Sequence, residues 1–120
     1  SPRDALARLE TLVLMAGFDL PLRAIREQIA SAISIIVQVG RNKDGTRKIL
    51  NVSEITKMEG EIITMQDLFI FKHEGWSPDG KIIGKHVACG NIPTFIEEIQ
   101  RAGIDFDISI FKDGRGDFRA

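Results

Sequence analysis

Residues 35–45 read Ile-Ile-Val-Gln-Val-Gly-Arg-Asn-Lys-Asp-Gly, and their reading decides the class of fold. Ile35, Ile36, Val37 and Val39 make a β-branched run of strand length, of the kind that suits a strand covered on both faces. Asp44-Gly45 accepts the positive φ of a tight primed turn, so a second strand should return at once, over about 47–58. Glu59-Gly60-Glu61 turns the chain again into 62–72. There Ile63 and Met65 alternate, Gln66-Asp67 interrupts, and Phe69 and Phe71 resume, which predicts a bulge near Asp67. An antiparallel meander is the expected centre of the molecule.

Upstream, the period is helical. Ser1 with Pro2 and Asp4 forms a capping-box start, and Leu6, Leu9, Leu12, Val13 and Ala16 share one face before Gly17 stops the helix. A second helix is expected to start at Asp19 with Pro21 and to carry Leu22, Ile25, Ile29 and Ile33 on its apolar side. Downstream, residues 73–80 hold Gly75, Ser77, Pro78, Asp79 and Gly80 and read as an exposed loop. A strand over 82–88 follows, then a capping box Thr94-x-x-Glu97 opening a short helix that Gly103 ends. Ile104, Phe106, Ile108 and Ile110 alternate with Asp105, Asp107 and Ser109, which predicts a final half-buried strand. The resulting division is a folded segment 1–111 and a charged, Gly-rich tail 112–120 expected to be flexible.

The 120 residues carry 16 Lys+Arg against 17 Asp+Glu, a formal charge of −1, with 43% apolar and 28% charged positions. This composition predicts one soluble globular domain. The balanced charge weighs against a nucleic-acid partner. No apolar stretch approaches the roughly 20 residues that span a bilayer, so no direct membrane insertion is expected. The single Cys89 excludes an internal disulfide and points to a reducing, cytoplasmic setting.

Chemistry-bearing motifs are sparse. Neither G-x-x-x-x-G-K-[ST] nor G-x-G-x-x-G occurs; Gly80-Lys81 and Gly84-Lys85 lack the second glycine and the following helix. His86 and Cys89 make an H-x-x-C half-site with no second pair, and His73 stands thirteen positions earlier in an expected loop, so a strand-end histidine and a small buried thiol account for them. The carboxylate pairs Glu59/Glu61, Glu97/Glu98 and Asp105/Asp107 are explained by turns and solvent faces. Arg115-Gly116-Asp117 is a chance three-residue match. Arg23 and Arg26 form either a solvated helix face or a clamp for a phosphate or a neighbouring carboxylate.

Three stretches taken together resemble a known family: residues 1–17, Ser-Pro-Arg-Asp-Ala-Leu-Ala-Arg-Leu-Glu-Thr-Leu-Val-Leu-Met-Ala-Gly; residues 20–30, Leu-Pro-Leu-Arg-Ala-Ile-Arg-Glu-Gln-Ile-Ala; and residues 58–69, Met-Glu-Gly-Glu-Ile-Ile-Thr-Met-Gln-Asp-Leu-Phe. They are similar to the C-terminal part of the type II/type IV secretion ATPases, most closely the CpaF-like branch of Flp/Tad pilus assembly. The resemblance runs from Ser1 to about Phe111. It implies an α/β parent of the RecA-like P-loop class, with this segment α+β by itself: two helices, a largely antiparallel meander, a short helix and a final strand.

In that family the phosphate loop, the acidic boxes and a histidine box precede these segments. The resemblance therefore implies no catalytic, cofactor or metal residue in this chain, with ATP and magnesium belonging to the parent. Arg23, Arg26, Gln28, Arg41 and Arg47 are its candidate subunit-interface or nucleotide-edge residues. Implied partners are the protein's own subunits in a hexameric ring and inner-membrane secretion or pilus components, at the cytoplasmic side of that membrane. Two other readings compete. One is a free-standing adaptor module without catalytic activity; the other is a small metal- or thiol-dependent enzyme built around His86 and Cys89. A buried-type strand left without neighbours is an association hazard, so self-association of the chain is also expected.

Overall fold

The structure, a computed structural model, describes residues 1–17 and 19–112. Phe18 and the tail beyond Lys112, including Arg115-Gly116-Asp117, lie outside the described residues. The described residues form an α+β fold, with a four-stranded antiparallel sheet in which each strand pairs with the next in chain order and three α-helices.

Helix α1 (Pro2–Met15) starts with the expected capping box: the Ser1 side chain accepts from the Asp4 backbone N–H and the Asp4 side chain reaches back. Helix α2 (Leu22–Ala32) has Pro21 at its N-cap and no side-chain cap. The start expected at Asp19 is therefore corrected: proline, whose φ is preset for the approach to a helix, does the work that a capping side chain would do. Both helices pack on one face of the sheet, where Leu6, Ile25 and Ile29 meet Ile55 and Ile63, with Ile36, Met58 and Met65 around them. Burying each such side chain contributes roughly 1.5–3 kcal/mol, and this is the core.

Strands β1 (Ile35–Arg41), β2 (Arg47–Glu59) and β3 (Ile62–Trp76) form the meander, and β4 (Ile82–Ala88) closes it. The bulge falls where the broken alternation puts it: Val52 pairs with Phe69 and Ser53 with Asp67, so Leu68 is the extra residue. Leu68 is only 2% exposed. Strand β3 runs further than the sequence implies, because His73–Trp76 pair with β4 through Trp76↔Ile82 and His73↔Gly84, with a second irregularity that absorbs Glu74. The expected loop 73–80 therefore shrinks to the turn beyond Trp76.

The β2–β3 ladder ends at Asn51↔Ile70. Beyond it, each hairpin pairs only internally, with Val39↔Ile49 to Arg41↔Arg47 in one and Phe71↔His86 to Trp76↔Ile82 in the other. One end of the sheet thus divides into two prongs.

Two expectations near the C-terminus are corrected. Thr94 does not form a capping box with Glu97. Its N–H and hydroxyl instead donate to the Glu54 carboxylate at 2.6–3.1 Å, and α3 (Ile96–Arg101) starts from Phe95 without a side-chain cap. A buried carboxylate with vacant lone pairs is a stronger claimant on those donors than an exposed cap. Nor do residues 104–110 form a strand. Ile108–Phe111 is a 3₁₀ turn whose Asp107 side chain accepts from the Ser109 N–H and hydroxyl. This local bonding competes with a ladder, and Phe111 stacks near Phe69 and Phe106, at 5.6 and 6.0 Å between ring centres.

The molecule measures 54 × 40 × 20 Å with a radius of gyration of 17.2 Å, where a compact chain of this length gives about 13.6 Å. It is a slab rather than a ball. Strand β1 lies at one edge of the sheet, and its Val37 and Val39 are 51% and 53% exposed. Contrary to the cover expected on both faces, only the side carrying Ile36 meets the helices. Among the described residues, no helix is long and apolar enough to cross a membrane.

Candidate functional site

The candidate residues fall into three settings. Arg26 is spent internally: its Nε donates to Glu10 of α1 at 2.8 Å and its Nη1 to the Glu61 carbonyl at 2.9 Å, tying both helices to the β2–β3 turn. Arg23 lies on the outer face of α2 in an exposed pair with Glu27 at 3.1 Å, and Gln28 is exposed on the same helix. Arg41 and Arg47 are brought together at the tip of the first prong, as direct cross-strand partners. Like charges so placed repel by some tenths of a kcal/mol. Among the described residues neither has an ion-pair partner.

The second prong repeats the arrangement, with Lys72 opposite Lys85. Residues 41–48 and 72–85 hold seven basic and three acidic residues, while the rest of the chain holds nine and fourteen. The net charge of −1 therefore conceals a polarised molecule, basic where the prongs meet and acidic elsewhere.

The prongs are held together by two bonds. Asp44, in the first turn, accepts from the Ile82 N–H at 2.7 Å through Oδ2, and from the Thr46 N–H and hydroxyl through Oδ1. These donors, that of Ile82 first, hold the Asp44 carboxyl down at about 2. His86 donates from Nε2 to the Ile49 carbonyl at 2.7 Å, while its ring lies 5.3 Å from Phe71.

Between the prongs lies a cleft of about 570 Å³, within the size range of small-ligand sites. One wall is aromatic, made of Phe71, His73 and Trp76; Leu50 and Ile82 add an aliphatic surface; Arg41, Asn42 and Lys43 complete it. Glycine shapes two of these surfaces. A Cβ on Gly84 would stand 2.5 Å from Phe71 Cζ and from the Lys72 carbonyl, and a Cβ on Gly40 would collide with Leu50. Trp76 packs edge-on against His73 at 5.6 Å and is 51% exposed. The Asn42 amide Nδ2 is buried without a hydrogen-bond partner. A cleft of this kind offers flat apolar faces, an unused amide donor and two cations.

His86 bonds to β2 through Nε2, and the Cys89 N–H donates to the Leu68 carbonyl at the bulge. Among the described residues, no group of three or more His, Cys, Asp or Glu is placed to hold a metal ion.

Of the cleft residues the family resemblance singles out Arg41, while its cross-strand partner Arg47 stands outside the lining; Asn42, His73 and Trp76 go unmarked, because the cleft joins segments thirty residues apart. It also misses Glu54, which is 2% exposed and holds residue 94 to the sheet. An acidic residue between Ser53 and Ile55 in a strand otherwise reading as core is the signal that marks it. No family model matches the chain, and no curated protein is significantly similar to it in sequence.

Proposed function

We propose that the chain is the C-terminal portion of a secretion or pilus-assembly ATPase of the RecA-like class, where it completes a sheet and supplies subunit contacts without hydrolysing ATP itself. In this reading ATP and magnesium bind to other parts of the parent. The partners are copies of the same subunit in a hexameric ring and the inner-membrane secretion or pilus components beneath which the ring sits. The resemblance of residues 1–17, 20–30 and 58–69 supports it, and the observation that carries it is the unfinished sheet. Strand β1 is β-branched, lies at an edge and leaves Val37 and Val39 half exposed, whereas chains that end a sheet protect such edges with charge, proline or cover. Leu12, Leu14, Met15, Leu20 and Leu22 add exposed apolar surface along α1, α2 and their connection. Arg23 and Gln28 then serve as contacts from the outer face of α2.

The test begins with the reading frame. A phosphate loop encoded upstream of Ser1, ATP hydrolysis by the whole gene product and none by the 120-residue chain are the expected results. Replacing Val37 and Val39 by lysine in the whole product should abolish turnover. A frame without a phosphate loop, with a different protein co-purifying in fixed ratio, overturns the proposal in favour of the adaptor reading.

A further inference from the structure

We propose that the cleft between the two prongs binds a nucleotide, the base stacking on Trp76 and His73 and the phosphate pairing with Arg41 and Lys43. The source of that chemistry is either a free nucleotide or a residue of a single strand. The site is independent of the ATPase reading, since the phosphate loop of that reading lies outside this chain and no part of the cleft is borrowed from it.

Four observations converge on this ligand class. First, the aromatic wall is presented, not packed away: Trp76 is half exposed and meets His73 in a T-shaped contact, so indole surface is open to a base. Base–aromatic stacking is worth about 1–3 kcal/mol. Second, among the described residues the positive charge has no ion-pair partner. Arg41 faces Arg47 across the ladder, Lys43 sits in the adjoining turn, and the one carboxylate at that tip, Asp44, is already filled by three donors. An arginine held in this way favours the planar oxygen array of a phosphate. Third, Asn42 on the cleft lining keeps a buried amide donor that has no partner among the described residues, so part of its hydrogen-bonding capacity is unmet. Asparagine amides pair with the edges of bases. Fourth, Gly84 is required where it stands, because any side chain there strikes the Phe71 ring and closes the wall. An acidic peptide would use the cations but has no need of the flat faces or the amide.

Trp76 is the only tryptophan and the chain has no tyrosine, so its emission reports on this cleft alone. Titration with AMP, with pyrophosphate, with adenosine and with an octadeoxyadenylate strand tests the proposal directly. Saturable quenching is expected from AMP or the strand, with midpoints at least about tenfold lower than for adenosine or pyrophosphate, since either half alone loses more than 1.4 kcal/mol. A strand that binds more tightly than AMP and weakens steeply with salt identifies a nucleic acid as the source; equal midpoints identify a free nucleotide. Arg41→Gln with Lys43→Gln, and separately Asn42→Ala, should raise the midpoint about tenfold or more while the circular dichroism spectrum is unchanged. Arg23→Gln should leave it alone. Absence of saturable quenching, equal binding of pyrophosphate and AMP, tighter binding of an acidic peptide than of any nucleotide, or indifference to the cleft variants would overturn the proposal.

Discussion

The two halves of the sheet are made from similar residues and end in different states. At the β2–β3 turn, two helices cover Ile55 and Ile63, and Arg26 fastens both helices to the turn through Glu10 and Glu61. At the other end the strands part into prongs, Val37, Val39, Ile49, Trp76 and Ile83 are exposed, and basic residues face one another across both ladders. The first half is satisfied from within. Among the described residues, the second keeps exposed apolar surface and positive charge without ion-pair partners, and it buries one unused amide. Burial is concentrated where the chain meets itself, and exposed apolar and basic surface where it does not.

The comparison can be broken most severely at the helix-covered end. Ile25→Ala, at a site 2% exposed, should cost about 2–5 kcal/mol, read as a lowered midpoint of chemical denaturation, whereas Val37→Ala on the open face should change it by under about 0.5 kcal/mol. Equal losses at the two sites would mean the open face is packed. Glu54→Ala should rank next. It leaves the Thr94 N–H and hydroxyl and the Gln66 amide without their acceptor, which costs about 1–3 kcal/mol, and Glu54→Gln should recover part of it. Hydrogen exchange should show the loss concentrated in residues 92–111 rather than in α1.

A smaller and more local effect belongs to Asp44. Its folded carboxyl is held at about 2 against an ordinary 3.8, so the stabilisation it gives the prongs is fully present above about pH 4 and is lost as pH falls toward 2. Trp76 emission should shift to the red across that window. Asp44→Ala should show the shifted emission already at neutral pH with its helical signal intact, and wild-type emission in that variant would contradict the role given to Asp44. Least affected should be Arg23→Gln, which removes an exposed pair with Glu27 worth no more than about 0.5 kcal/mol.

Much of the satisfied half was legible in sequence, because its determinants are local. The Ser1–Asp4 cap, the helical spacing of Leu6, Ile25 and Ile29 and the interrupted alternation at Asp67 each act within a few residues. In the open half the turn at Asp44-Gly45 falls where expected but is not the primed one, since only Gly45 takes a positive φ and Asn42 bonds across to Thr46. The misreadings share a different cause. Thr94 carries a capping-box pattern, yet a carboxylate forty positions earlier takes its donors. Residues 104–110 alternate as a strand does, but Asp107 bonds to Ser109 and Phe111 finds Phe69, so the alternation serves a 3₁₀ turn. Glu74 and Gly75 look like loop residues, and a bulge absorbs them into β3. Of the site, only Arg41 was singled out in sequence, and by the family resemblance rather than by the hairpin. The aromatic wall was not, since long-range bonds, Ile82 to Asp44 and His86 to Ile49, bring Trp76 beside it.

The central claim is that the open half, and β1 above all, is built to be completed by another chain. Sedimentation equilibrium at micromolar concentration tests it most directly, on the wild-type chain and on the double variant Val37→Lys with Val39→Lys. The account requires a dimer or larger species for the wild type and a monomer with unchanged helical content for the variant. A wild-type chain that sediments as a single monomer would contradict it.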